Sequence, residues 1–181
     1  MDSKYKNPDN NPRGTWRNII ASVPDSVAHQ GMVYAIQNPF TDEMAYPPQG
    51  RHWTLGQEQI LNAMNQWAEY ELRDLSDVEE RARVCGVSTN EVRKDVLAIV
   101  LKKSLKSSSE KAKQIMKGVL PEFYFSKNGT GTLSRKAYIK ETVKSKIFPI
   151  SSVFIFNKSV VISPIFRLYL VVKILFLWIR K

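Results

Sequence analysis

A chain of 181 residues with 43% hydrophobic content falls in the size range of one domain with a modest core. One cysteine and two histidines exclude an internal disulfide and a structural zinc site, and they fit a reducing, cytoplasmic setting. Residues 1–141 hold all 17 acidic and 20 of the 27 basic side chains, so that body carries +3 and the last forty residues carry the other +7; a body so nearly balanced argues against a large basic face that would hold DNA unaided, because nonspecific duplex affinity grows with the phosphates neutralised.

The first residues, Met1 to Lys6, are polar and give no support to a secretion leader. Lys6-Asn7-Pro8-Asp9-Asn10-Asn11-Pro12-Arg13-Gly14-Thr15-Trp16 then predicts a rigid loop. Its prolines fix φ and restrict the residues before them, and Asp9, Asn10 and Asn11 favour tight turns through side-chain bonds to nearby backbone. Val33-Tyr34-Ala35-Ile36 and Glu43-Met44-Ala45-Tyr46 flank Asn38-Pro39-Phe40-Thr41-Asp42 and predict a hairpin. Arg13 near Trp16, and Arg51 near Trp53, repeat one theme: a planar cation close to a large aromatic, able to meet phosphate and base faces together. The structural alternative is an arginine packed over a core tryptophan.

Further along, Thr54-Leu55-Gly56-Gln57 has capping-box spacing, and Ile60, Leu61, Met64, Trp67 and Ala68 recur at three- and four-residue intervals, which predicts a packing helix over 57–72. Ala82, Gly86 and Val92 have the spacing of a helix-turn-helix whose second helix would present 88–93 to the major groove, with Asn90 and Arg93 as adenine and guanine readers. Acidic Glu79, Glu80, Glu91 and Asp95, with Arg81 and Cys85 at positions usually apolar, favour instead a packed helical hairpin with Val84, Val87, Val92, Val96, Ile99 and Val100 inward. Lys102-Lys103 through Ser109 predicts a polar connection into a short helix over 110–119. Phe123-Tyr124-Phe125 predicts a strand, and Lys127-Asn128-Gly129-Thr130-Gly131 a turn: a plain hairpin turn, or an anion hold built from Lys127 and backbone N–H groups.

The vocabulary changes at 147. From there to Lys181 acidic residues and glycine disappear, and Ile, Phe, Val, Leu, Ser and Lys dominate. Lys158, Arg167 and Lys173 interrupt the apolar runs, which stay far below the ~20 residues a span requires. Two origins are weighed for this tail: a shifted frame in an AT-rich gene, and a peripheral or membrane-facing segment. Exposed, either would promote aggregation.

The loop from Lys6 to Trp16, taken with Met32-Val33-Tyr34 and Tyr46-Pro47-Pro48-Gln49-Gly50-Arg51-His52-Trp53, resembles the middle of the adenine-specific DNA methyltransferases of type III restriction-modification systems. Their pattern is an "NPDNDPRGPW"-like loop followed by a "VYxIxNPxTxExxYPPxGRxW"-like hairpin, and the resemblance runs over about 4–145. It implies an α+β piece, a hairpin-containing N-terminal platform plus helices, cut from a larger α/β methyltransferase. Residues 1–146 would be the DNA-facing internal segment, with 147–181 foreign to the family. The implied activity of the whole enzyme is methyl transfer from S-adenosylmethionine to the N6 amine of a flipped adenine. Its implied partners are DNA, the rest of the methyltransferase and a restriction subunit. Arg13, Trp16, Arg51, Trp53 and Lys127 are the expected DNA contacts. The rival expectation is a small noncatalytic helix-turn-helix module.

Amino methylation needs a D/N-P-P-Y/F-type loop and a Phe-x-Gly-x-Gly cofactor turn, and neither is found. Ala45 and Tyr46 supply no amide or carboxylate before Pro47-Pro48, Asn38-Pro39-Phe40 has one proline only, and the 125–131 stretch puts two extra residues between the aromatic and the glycines. In the family, the first motif belongs upstream of the "NPDN" stretch and the second downstream of "KNGTG". Cys85 and His52 are too few to propose a nucleophile and base, and adjacent Glu79 and Glu80 face different directions on a helix. No catalytic, cofactor-binding or metal-ligating residue is assigned to this chain.

Overall fold

The computed structural model describes residues 4–139, so the tail expected to be foreign lies outside the described residues. Three small sheets and three helices make a mixed α+β architecture. Strand β1 (Trp16–Ile20) pairs antiparallel with β9 (Leu133–Tyr138), and β9 with β8 (Phe123–Phe125). Buried Ala21 is the pivot at which the chain leaves this sheet. Its N–H bonds Leu133 C=O at 3.0 Å, and its own carbonyl accepts from Thr54 N–H at 3.1 Å. Strand β2 (Ser22–Pro24) then pairs antiparallel with β5 (Arg51–Trp53).

The expected hairpin forms, with shorter strands than its β-favouring residues suggest. Strands β3 (Ile36–Gln37) and β4 (Met44–Ala45) pair antiparallel around a turn in which Asp42 takes positive φ. This hairpin joins a third sheet in the order β4-β3-β7-β6, where β7 (Ala98–Leu101) runs parallel to β3 and antiparallel to β6 (Tyr70–Arg73). All four residues of β7 are buried: Ile99 and Leu101 face the main core, while Ala98 and Val100 meet Ala35 on the other side. A strand covered on both faces reads as a continuous apolar run.

The main core joins all three sheets through Trp16, Tyr34, Trp53, Trp67, Ile99 and Leu133, among others. A buried indole must place its N–H. Trp53 donates to Tyr34 C=O at 2.8 Å, Trp67 to Phe123 C=O at 2.7 Å, and Trp16 to the Asp9 carboxylate at 2.9 Å.

Three sequence expectations are corrected. Helix α1 spans Gln57–Met64 rather than 57–72, and its N-cap is Gly56, not Thr54; Gln59 Oε1 accepts from Gly56 N–H at 3.4 Å. Asn65 ends it and its Oδ1 takes the Tyr70 N–H at 2.8 Å, which frees Tyr70–Arg73 to pair with β7 over four residues. The apolar period continued through Trp67 and Ala68, but these are buried in a turn.

Helix α2 (Val78–Cys85) ends at Gly86 in the left-handed region, φ +73, as the turn residue should. No second helix follows, so neither a recognition helix nor a helical hairpin is present. The reason is Arg81, buried to 2% exposure: it donates to Asp77 Oδ1 at 2.8 Å and to the Arg93 carbonyl, while Arg93 N–H is taken by Gln30 Oε1 at 2.6 Å. With both backbone groups of Arg93 bonded elsewhere, a helix through 89–96 has lost its central ladder. Asn90 and Arg93 therefore present no recognition face, and Arg93 is paired with Asp95 at 2.6 Å.

Helix α3 occupies Leu105–Ile115 instead of 110–119, so Ser107, Ser108 and Ser109 are helical. Small Ser108, Ser109 and Ala112 form its buried side. The strand at Phe123–Phe125 and the turn after it stand where expected. Among the described residues, no helix is long and apolar enough to cross a membrane.

Candidate nucleic-acid interface

The Asn-Pro-Asp-Asn loop is held by its own side chains. Asn7 Oδ1 accepts from Asn11 N–H at 2.7 Å and Asn7 Nδ2 donates to Asn11 C=O at 3.1 Å; Asn11 Oδ1 then accepts from Arg13 N–H at 3.0 Å. Asn10 takes positive φ between them, a conformation asparagine tolerates better than most residues. Asp9 is the hub. Its carboxylate receives the Trp16 indole, the Leu120 N–H at 2.9 Å and the Lys136 ammonium at 2.5 Å. Lys136 is fully buried, lies 4.9 Å from the centre of the Trp16 ring, and also donates to Leu120 C=O at 2.6 Å. Burial alone would raise the Asp9 pKa; the bonds from Lys136, Trp16 and Leu120 outweigh it and hold the carboxyl below its ordinary range. The loop is thereby tied to β1, to β9 and to the approach to β8.

The five expected contact residues divide into two groups. Trp16 and Trp53 are core residues, at 6% and 0% exposure, with both indole N–H groups committed, so protein already covers their faces. Arg13 is half exposed; its guanidinium lies 4.0 Å from the Tyr138 ring centre and pairs with Glu122 at 3.1 Å, rather than stacking on Trp16. Arg51 is half-buried and donates to Ser22 Oγ at 3.0 Å and Ser22 C=O at 2.5 Å. Lys127 is exposed in the β8–β9 turn. The structure does not gather these cations at one point. Arg13 sits by the Tyr138 end of β9 and Lys127 by the Leu133 end, roughly 17 Å apart along a strand rising ~3.4 Å per residue.

The remaining motif residues interlock. Asn38, buried in the β3–β4 turn, accepts Phe40 N–H on Oδ1 at 2.8 Å and donates Nδ2 to Gly129 C=O at 2.6 Å. Both ends of its amide are spent, so Asn38-Pro39-Phe40 cannot grip an adenine amine. Gly129 has φ +98, and a Cβ there would stand 2.5 Å from the Phe40 ring. Tyr34 carries its hydroxyl to Leu55 C=O at 2.9 Å while its carbonyl takes the Trp53 indole, which locks the hairpin to the Arg51-His52-Trp53 strand.

The 127–131 turn closes as a hairpin turn. Gly129 and Gly131 N–H both bond Ser126 C=O, at 3.1 and 2.8 Å, and Thr130 N–H bonds Lys127 C=O at 3.3 Å. The N–H groups of Gly129, Thr130 and Gly131 are thereby used, and the Phe40 ring fills the space over Gly129. Among the described residues, no group of three metal-ligating side chains occurs. Cys85 is buried beside Ser26 C=O at 3.9 Å, and burial pushes its thiol up.

Helix α3 was missed as a charged element. Lys106 and Lys113 recur at seven residues, a one-sided spacing visible once 105–115 is read as a helix, and Lys117 follows just beyond it. No family model, curated protein or solved structure matches this chain.

Proposed function

We propose that this chain is the DNA-facing middle segment of a site-specific adenine-N6 DNA methyltransferase of the type III restriction-modification kind, a segment that positions DNA and carries no chemistry itself. The observation that supports it most is the coupling of the Asn38 turn to Gly129. Residues that carry the resemblance, 91 positions apart in sequence, hold each other through a buried amide and a ring that only glycine admits. The Asp9 hub does the same for the first motif. Such interlocking makes one stiff platform, on which Arg13, Arg51 and Lys127 are the phosphate contacts. Trp16 and Trp53 support that platform from inside.

In this reading, S-adenosylmethionine and the amine-gripping loop belong to other parts of the enzyme, a restriction subunit is the partner, and the setting is the cytoplasm. The test is to sequence the source locus across both ends and translate all frames, while assaying the purified chain for transfer of labelled methyl groups to duplex DNA. A D/N-P-P-Y/F-type loop encoded upstream, a Phe-x-Gly-x-Gly turn downstream and no transfer by the chain alone are the expected results. Methyl transfer by the chain, or neither motif in any frame, would overturn the proposal.

A further inference from the structure

We propose a second nucleic-acid contact, the lysine face of α3, which grips the phosphate backbone irrespective of base sequence. The evidence is charge segregation. Residues 102–117 hold six lysines against Glu110 alone, whereas the rest of the described residues hold thirteen basic and fourteen acidic side chains. The whole positive excess of the described fold therefore lies on this one segment, which qualifies the sequence-based view of an evenly balanced body.

All six lysines are exposed, and Lys103 pairs with Glu69 at 2.5 Å. Lys102, Lys106, Lys111, Lys113 and Lys117 form no ion pair among the described residues. At 100° per residue, Lys106 and Lys113 fall within about 20° of each other on α3, roughly 10 Å apart along the axis, and Lys117 follows in the turn after the helix. Ser108, Ser109 and Ala112 form the buried side of the helix, while Lys106, Lys113 and Lys117 are exposed to solvent.

Helix stability does not account for the N-terminal part of this distribution. Cations suit a helix C-terminus and acids its N-terminus. Helices α1 and α2 follow that rule, with Glu58 and with Glu79 and Glu80 in their first turns; α3 has no acid in its first turn, carries Lys106 there, and is preceded by Lys102 and Lys103. Lys113 in the last turn suits the dipole, but Lys102, Lys103 and Lys106 stand at the end where it disfavours them, which points to an external anion. The 102–117 segment holds no arginine and no aromatic side chain, which suits point-charge contact to phosphate rather than reading of bases.

This inference stands on charge and geometry, so it does not depend on the methyltransferase reading. Its test uses the full chain, compared with the triple variant K106Q/K113Q/K117Q and with K106R/K113R/K117R. Binding to a 20-base-pair duplex of arbitrary sequence is followed by fluorescence anisotropy between 50 and 200 mM salt. Each phosphate contact contributes about 0.9 to the slope of log affinity against log salt. The glutamine variant should lower that slope by about 1 to 2.7, and the arginine variant should keep it. Thermal unfolding of all three proteins should coincide, since the side chains are exposed. A slope change under about 1, or no duplex binding by the wild-type chain at 50 mM salt, overturns the proposal. So does loss of binding to phosphatidylserine vesicles with duplex binding intact, which would assign the face to a membrane surface.

Discussion

Asp9 and Lys136 offer the sharpest test of how the first motif works. Lys136 has no exposure and Asp9 only 6%, so Asp9→Ala strands an ammonium in the core beside an indole that has also lost its acceptor. Removing one partner of a buried pair costs about 3–5 kcal/mol, a large fraction of the ~5–15 kcal/mol that holds a domain together. At ~2–4 °C per kcal/mol for a chain of this size, the melting temperature should fall by roughly 6–20 °C. Lys136→Met removes the cation but leaves Asp9 its bonds from Trp16 and Leu120, so it should cost less. The double variant Asp9→Asn with Lys136→Met should cost at least ~1 kcal/mol less than the sum of its singles, because it never leaves a lone buried charge. The pH dependence follows from the depressed Asp9 pKa. Its contribution is complete above the unfolded value, near 3.9, and is lost as pH falls through the lower folded value. Urea unfolding between pH 2 and 7 measures this, and Asp9→Asn should flatten the acid limb. Single variants costing under ~1 kcal/mol, or additive singles, would refute the hub.

Two further outcomes are expected. Gly129→Ala forces a Cβ to 2.5 Å from the Phe40 ring at φ +98, so left-handed strain and overpacking together should cost about 2–4 kcal/mol, read by urea unfolding; a loss under ~1 kcal/mol would mean that the two turns are not coupled. Cys85, buried and with its thiol pushed up, should react with a disulfide reagent at pH 8 far more slowly in the native chain than in denaturant, and equal rates would refute its burial.

What the sequence made legible was local. Alternating and turn-forming residues located the β3–β4 hairpin, the Phe123–Phe125 strand and the turn after it, and three-four spacing located the apolar face of α1. What stayed hidden turned on single long-range bonds. Nothing near Arg81 in sequence announces that its guanidinium will be buried against Asp77 and the Arg93 carbonyl, yet that contact abolishes the second helix expected after Gly86. Likewise Asn65 reads as one more polar helical position until its side chain takes the Tyr70 N–H and the strand begins.

The candidate site shows the same division. A cation near an aromatic in sequence identified Arg13 and Arg51 as surface arginines, but said nothing about which ring each would meet. Trp16 took Asp9 and Lys136 as neighbours, and Arg13 took Tyr138 and Glu122. The physical reason is competition for indole N–H groups. A buried tryptophan needs an acceptor, and the Asp9 carboxylate and the Tyr34 carbonyl were each supplied by another strand or loop. Once those bonds form, the tryptophans are fixed inside the core. At the surface, Arg13 keeps Glu122 and Arg51 keeps Ser22 as partners, so part of the surface charge is spent within the protein. The lysine row of α3 adds to that charge, on a segment whose serines made it read as a loop.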